Sequence, residues 1–240
     1  QGLPYSVYTI HDVIGENEAL LVQKDAKIKS LEDLTGKTVA VPFGSTTHFS
    51  LLSVLEKEGI DASKVKILDM QPSDMYAAWQ RGDIDAGFVW QPTLEKMIID
   101  NGEILLTSKQ LAEEGIITAD VGIVSKDFAK QYPEVVKTYV SLLNEAVNYY
   151  RDSPEEAGEA LSKELSISLE ETKSMMNELI WLDLMEQADS KYLGSPDQPG
   201  ELSEVLKQTG DFMVEQKAIP TAPELSAYEE SLLTEPLKDA

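Results

Sequence analysis

Short apolar runs alternate with helix-like segments through the first 125 residues, and this alternation limits the fold more than any other feature. The first runs are SVYTI at 6–10 and EALLVQ at 18–23, and the last is DVGIVS at 120–125. Between the later runs, apolar residues recur at steps of three and four, as in the helix expected from Thr46 to Glu58. Strands and helices that alternate in this way form βαβ units, so we predict an α/β fold with a mainly parallel sheet.

After Lys126 the strand-like runs end and the sequence pattern becomes helical. Pro133 stands where a first helical residue is expected, and apolar residues then follow at helical spacing as far as Tyr150. Further helices are predicted near 154–164, 168–179 and 200–217. The α/β part therefore occupies about 1–125 and a helical part about 126–240, with no Gly/Ser linker between them.

The chain is strongly acidic. Of its 240 residues, 43 are Asp or Glu and 20 are Lys or Arg, which gives a formal net charge of −23. A protein of this charge repels the phosphates of nucleic acid and the surface of an anionic membrane. Both are therefore excluded as expected partners.

Cysteine is absent, and the two histidines are His11 and His48. Disulfides and thiol nucleophiles are therefore excluded, and we expect no metal site. No apolar run is long enough to cross a membrane, and residues 1–30 lack the basic and apolar regions of a signal peptide. We expect either a cytoplasmic protein or one whose export signal is not in this chain.

The patterns of common enzyme classes are absent as well. The chain contains no G-x-x-x-x-G-K-[ST], G-x-G-x-x-G, G-x-S-x-G or H-E-x-x-H. Acidic residues are so numerous that chance pairs are expected, so no general acid–base pair can be assigned. These absences favour a binding protein, without catalytic residues or a cofactor, over an enzyme.

The segment VPFGSTTH at 41–48 carries the strongest sign of a ligand site. A predicted strand ends there, Gly44 permits a tight turn, and Ser45, Thr46 and Thr47 open a helix. The free N–H groups at a helix start attract anions, and hydroxyl groups add donors. The alternative is simple capping of the helix, for which one Ser or Thr suffices.

Three further residues occupy positions that suit a ligand site. Trp90 closes the predicted strand 84–90, and ligands of parallel sheets bind beyond the carboxyl ends of the strands. Asp120 follows an apolar run, and a carboxylate there can hold an ammonium group. Glu18 leads into an apolar strand and lies either at an exposed edge or facing a cleft. The alternatives for Trp90 and Asp120 are core packing and a turn, and His48 is expected to be a packing or surface residue rather than a ligand.

Four segments resemble one protein family: EALLV at 18–22, DLTGKTVAVPFGSTTHFSLL at 33–52, AAWQRGDIDAGFVWQP at 77–92 and VSKDFA at 124–129. They are similar to the taurine-binding proteins of ABC importers, in the aliphatic-sulfonate, nitrate and thiamine-precursor group of type II periplasmic binding proteins. After residue 150 only the general layout and Tyr228 match. This resemblance implies two α/β lobes joined by a hinge that the chain crosses twice.

The resemblance also implies a division of the chain. Residues 1–23 would be a remnant of lobe one with the first hinge crossing, 24–123 a complete lobe two, and 124–240 the second crossing with C-terminal helices that pack on lobe one. Family members have about 80 more residues upstream, so we expect the N-terminal part of lobe one to be missing.

In that family the ligand would be taurine or a related aliphatic sulfonate. Ser45, Thr46 and Thr47 would donate hydrogen bonds to the sulfonate, Trp90 would line the cleft, Asp120 would bind the ammonium, and Glu18 would assist. Gln91 stands where the family would have a small residue. A zwitterion has no net charge to be repelled by an acidic protein, which favours an amino-sulfonate over sulfate or phosphate.

The implied function is a non-enzymatic solute-binding protein of sulfur metabolism that delivers its ligand to ABC permease subunits. We expect a monomer, either periplasmic or a membrane-anchored extracellular lipoprotein. The alternative is the ligand-sensing effector domain of a transcription regulator with the same fold. An enzyme on this scaffold would need a nucleophile or redox residue, and none is visible in the sequence.

Overall fold

The computed structural model describes residues 4–238, which divide into two compact units. Unit 1 comprises residues 4–13 and 119–238, and unit 2 comprises Ile14–Thr118. The chain passes from one unit to the other at Val13–Ile14 and returns at Thr118–Ala119. Residues 1–3 and 239–240, which belong to the predicted terminal segments, lie outside the described residues.

Strands and helices alternate along the first half of the chain, and helices dominate the second half. In chain order, the strands are β1 (Tyr5–Val13), β2 (Glu18–Gln23), β3 (Thr38–Val41), β4 (Lys66–Asp69), β5 (Ala86–Trp90), β6 (Gly102–Thr107), β7 (Ala119–Ser125), β8 (Gly194–Ser195) and β9 (Gln198–Pro199). The α-helices are α1 (Thr46–Lys57), α2 (Pro72–Arg81), α3 (Thr93–Ile99), α4 (Ser108–Glu113), α5 (Lys126–Gln131), α6 (Pro133–Asp152), α7 (Pro154–Leu165), α8 (Leu169–Glu178), α9 (Leu184–Gln187), α10 (Leu202–Glu215) and α11 (Leu225–Glu229).

Unit 2 is built on a five-stranded sheet in the order β4–β3–β5–β2–β6. β3 pairs in parallel with β4 and β5, whereas β2 runs antiparallel to both β5 and β6. The sheet is therefore mixed, while the sequence pattern predicted a mainly parallel one. β2 enters the sheet directly from the crossing, not through a βαβ connection, and so its direction is reversed.

Helices cover both faces of this sheet. Leu20 and Phe88 lie on one face, in a cluster with residues of α1 and α4, and Leu21 and Val89 lie on the other, in a cluster with residues of α2 and α3. A strand buried on both sides reads as a continuous apolar run, and this explains EALLVQ. The limits of unit 2 differ from the predicted 24–123 because this run is a central strand of its sheet.

Unit 1 contains the two-stranded antiparallel sheet formed by β1 and β7. Its register shifts twice, between Val7 and Thr9 and between Ile10 and Asp12, so that Tyr8 and His11 are extra residues on β1. Such bulges re-aim the side chains that follow them. The second bulge places Asp12 directly opposite Asp120.

Helices α5–α11 and the short β8–β9 hairpin complete unit 1. The inner side of α6 buries Val136 and Val140, and Gln187 of α9 accepts hydrogen bonds from the Ile10 N–H at 2.9 Å and the Thr9 hydroxyl at 3.1 Å. These bonds tie the C-terminal helices to β1. Among the described residues, no helix has both the length and the apolar content needed to cross a membrane.

Candidate functional site

The start of α1 is organised by Ser45. Its Oγ accepts from the His48 N–H at 3.2 Å and lies 2.6 Å from the Pro42 carbonyl oxygen, to which it donates. Ser45 therefore takes the capping role that the sequence left as an alternative. Thr47 is completely buried, and its hydroxyl lies 2.8 Å from the Ser45 Oγ.

The backbone N–H groups of Thr46 and Thr47 follow the cap. Within residues 4–238, neither of them donates a hydrogen bond to a protein acceptor. The first donors of a helix carry the positive end of the helix dipole, so an anion is the natural partner for this pair. Thr46 is partly exposed, so this end of α1 reaches the surface of unit 2, whereas Thr47 is buried.

Glu18, Thr46 and Trp90 lie at the same edge of the sheet. Glu18 opens β2 and pairs in register with Trp90 at the end of β5, because the two strands are antiparallel. The Thr46 hydroxyl donates to the Glu18 carboxylate at 2.6 Å, and the Ser108 hydroxyl lies 3.5 Å from its other oxygen. Glu18 is only 4% exposed and faces inward, which rules out the exposed-edge alternative.

His48 stacks on Phe43 with ring centroids 4.3 Å apart and an interplanar angle of 5°. The Gly44 N–H donates to its Nδ1 at 3.2 Å, and burial lowers the pKa of His48, against the opposing charge of Asp69. A neutral ring that accepts at Nδ1 holds the turn before α1 in place. His48 therefore serves as a packing residue, as expected from the sequence.

A pair of carboxylates lies in unit 1. Asp12 and Asp120 face each other across the β1–β7 sheet, next to the point where both strands leave the unit. Asp120 is exposed, whereas Asp12 is 8% exposed and its Oδ1 has no hydrogen-bond partner among the described residues. Burial raises the pKa of Asp12 to about 6, and the negative charge of Asp120 adds to the rise.

Five of the six predicted site residues belong to unit 2, and Asp120 belongs to unit 1. Sequence reasoning missed Ser108 and Asp12. A signal for Asp12 existed, because it is an acid inside the otherwise strand-like run YSVYTIHDV. Ser108 begins a helix as many serines do, so nothing distinguished it. No cluster of three or more His, Asp or Glu side chains within residues 4–238 is arranged to hold a metal ion.

Comparison with known proteins identifies the family. Residues 2–157 match the family model described as NMT1/THI5 like. The chain belongs to the NMT1/THI5-like family. Among its curated relatives, the taurine-binding periplasmic protein of Escherichia coli (strain K12) is 43% identical over 155 residues, which are 65% of this chain and 48% of that protein. The predicted resemblance to taurine-binding proteins is confirmed, and the chain spans about half the length of the curated relatives it matches.

Solved structures of low sequence identity share the fold of this NMT1/THI5-like chain. The periplasmic aliphatic sulphonate binding protein SsuA from Escherichia coli superimposes with a TM-score of 0.71 at 19% identity, covering 94% of this chain and 68% of that one. The desulfurization enzyme DSZB gives a TM-score of 0.65 at 14% identity, covering 98% and 78%. The predicted fold class, that of the type II periplasmic binding proteins, is confirmed.

Proposed function

We propose that this NMT1/THI5-like protein captures taurine, or a related aliphatic sulfonate, outside the cytoplasm and delivers it to the permease of an ABC importer. The observation that carries the proposal is the pair of N–H groups at the start of α1 that donate to no protein acceptor within residues 4–238. They lie inside the family match of residues 2–157, and the chain is 43% identical to a taurine-binding protein over 155 residues. The family alone would leave the ligand class open.

The sulfonate would bind at the start of α1. Three sulfonate oxygens can accept from the N–H groups of Thr46 and Thr47 and from a hydroxyl of the Ser45–Thr47 run, with the helix dipole favouring the negative charge. The Thr46 hydroxyl now donates to Glu18, and a rotation about its side chain would redirect it to the ligand. Ser45 contributes by holding the two N–H groups in position.

The other end of the ligand is a primary ammonium. We propose that Asp120 accepts from it, that Glu18 assists at the edge of unit 2, and that Trp90 forms an apolar wall beside the two-carbon chain. Taurine has seven heavy atoms, so the ceiling for small ligands gives a binding free energy of about −10 kcal/mol at best. Such an affinity requires that both charged ends are matched.

A non-enzymatic role is part of the proposal. The binding-protein names of the relatives support it, whereas the likeness to DSZB is one of fold at 14% identity. A thiol nucleophile is excluded within these 240 residues because the chain has no cysteine. The regulator alternative gains no support from the relatives that match.

The partner and location follow the same reasoning. The word periplasmic in the relatives' names supports a location outside the cytoplasm. We propose that the protein is either free in the periplasm or tethered by a lipid to the outside of the membrane. Permease subunits would be its partners. Every residue of the proposed site comes from this one chain, so a monomer suffices.

Titration calorimetry of the full-length protein with taurine tests the proposal. We expect saturable binding of taurine, and absence of heat at millimolar taurine in a folded sample would reject the function. The variant Asp120→Ala should weaken taurine more than ethanesulfonate, which lacks the amine. Equal losses of affinity for the two ligands would mean that Asp120 does not bind the ammonium.

A further inference from the structure

Asp12 is a buried carboxylate that the proposed site does not yet use. It is 8% exposed, and its Oδ1 has no hydrogen-bond partner within residues 4–238. Buried carboxylates in folded proteins are normally paired with a cation or hydrogen-bonded, because the unpaired charge is costly. An unpaired one next to a second carboxylate is therefore a candidate binding position for a cationic group.

Within residues 4–238, Asp12 forms no ion pair, and the charged group that acts on it is a second carboxylate. Asp120 lies opposite in register, and its negative charge acts on Asp12. Side chains directly opposite each other in an antiparallel pair have Cβ atoms about 4.5–5.5 Å apart. The bulge at His11 creates this pairing, because in an unbulged strand His11 would lie opposite Asp120.

We propose that Asp12 and Asp120 together bind the primary ammonium group of the ligand. Asp120 is exposed and contacts the ammonium on its solvent side. Asp12, which is buried, supplies a second hydrogen-bond acceptor and a second negative charge. An ammonium has three N–H donors and can satisfy both carboxylates at once. This proposal rests on the proposed function for the identity of the ligand, and it makes Asp12 a residue that selects amino-sulfonates over plain sulfonates.

The test compares three small ligands on the full-length protein by calorimetry. Taurine carries both the ammonium and the sulfonate, isethionate replaces the ammonium by a hydroxyl, and β-alanine replaces the sulfonate by a carboxylate. The variant Asp12→Asn should weaken taurine and β-alanine by about tenfold or more, as expected for loss of a charge-assisted hydrogen bond. Isethionate should not be weakened, since it lacks the charged donor.

The matched control is Asp127→Asn, which removes one negative charge from an exposed position on α5 in the same unit. It should leave all three affinities unchanged. Thermal denaturation of each variant establishes that the sample is folded.

The outcomes separate the two proposals. If Asp12→Asn weakens all three ligands equally or none of them, Asp12 has no role in recognising the amine and this inference is overturned, while taurine binding by the wild type still supports the proposed function. If the wild type binds β-alanine but neither sulfonate, and Asp12→Asn weakens β-alanine, the inference stands and the sulfonate function fails. If the wild type binds none of the three, both are rejected.

Discussion

Replacing the buried carboxylate of Asp12 by an amide should stabilise the ligand-free protein at neutral and alkaline pH. Asp12→Asn keeps the shape of the side chain and removes a charge that is buried and opposed by Asp120. A group that serves ligand binding is often kept at a cost in stability, so a stabilising substitution at this position is consistent with a functional role.

The magnitude follows from the pKa of Asp12. A rise from the ordinary value of 3.8 to about 6 corresponds to about 3 kcal/mol between the protonated and ionised forms. The folded pKa lies above the unfolded one, so the ionised form is disfavoured in the folded state. The loss of folding free energy is absent below about pH 3.8, where Asp12 is protonated in both the folded and the unfolded state. It grows as the pH rises and is complete above about pH 6.

Thermal denaturation between pH 3.5 and 8 measures the effect. Asp12→Asn should melt about 6–12 °C above the wild type at pH 8, at 2–4 °C per kcal/mol for a chain of this size, and near the wild-type temperature at the acid end. Asp127→Asn, which changes an exposed residue, should follow the wild type throughout. A pH-independent difference, or a variant less stable than the wild type at pH 8, would refute the reasoning.

Three further substitutions test other parts of the molecule. Glu18→Gln removes a carboxylate beside the Thr46 hydroxyl and should tighten isethionate by roughly tenfold in calorimetry, because charge repulsion is lost; weaker binding would contradict this. Trp90→Phe should remove most of the change in tryptophan fluorescence on adding taurine. An unchanged signal would mean that Trp90 does not line the ligand site. Gly210→Ala would push a methyl group against the Tyr228 hydroxyl and should lower the free energy of unfolding, measured with denaturant, by about 1–3 kcal/mol. The double variant Gly210→Ala/Tyr228→Phe should recover part of that stability, and no recovery would mean that the clash lies elsewhere.

Local signals in the sequence were enough to predict most elements. α2 begins at Pro72 and ends at Arg81, and Gly82 follows in a left-handed conformation. Proline at a first helical position and glycine just after a last one are start and stop signals that the sequence itself contains. The same holds for the start of α1, where a Ser residue caps the helix. These features depend on neighbouring residues alone, so a single sequence contains them.

Features set by long-range pairing could not be predicted in this way. The reversed direction of β2 depends on its partners β5 and β6, and a buried run such as EALLVQ reads the same in either direction. The bulges at Tyr8 and His11 depend on β7, which lies far away along the chain. Asp12 was missed for this reason, because only the strand pairing shows that it lies opposite Asp120.

Short elements between the C-terminal helices were also missed. α9 is four residues long, and each strand of the β8–β9 hairpin has two. α9 begins with a capping box formed by Asp183 and Glu186, and both carboxylates bind Arg151 of α6. An ion pair between residues far apart in the chain produces no periodic pattern in the sequence. The Asp-x-x-Glu cap, in contrast, can be recognised from the sequence alone.

A crystal structure of the full-length protein with taurine tests the central claim most directly. The sulfonate oxygens should lie about 2.7–3.2 Å from the backbone nitrogens of Thr46 and Thr47, with the ammonium next to Asp12 and Asp120. A taurine molecule bound with its sulfonate away from the start of α1, or with its ammonium contacting neither aspartate, would contradict the account.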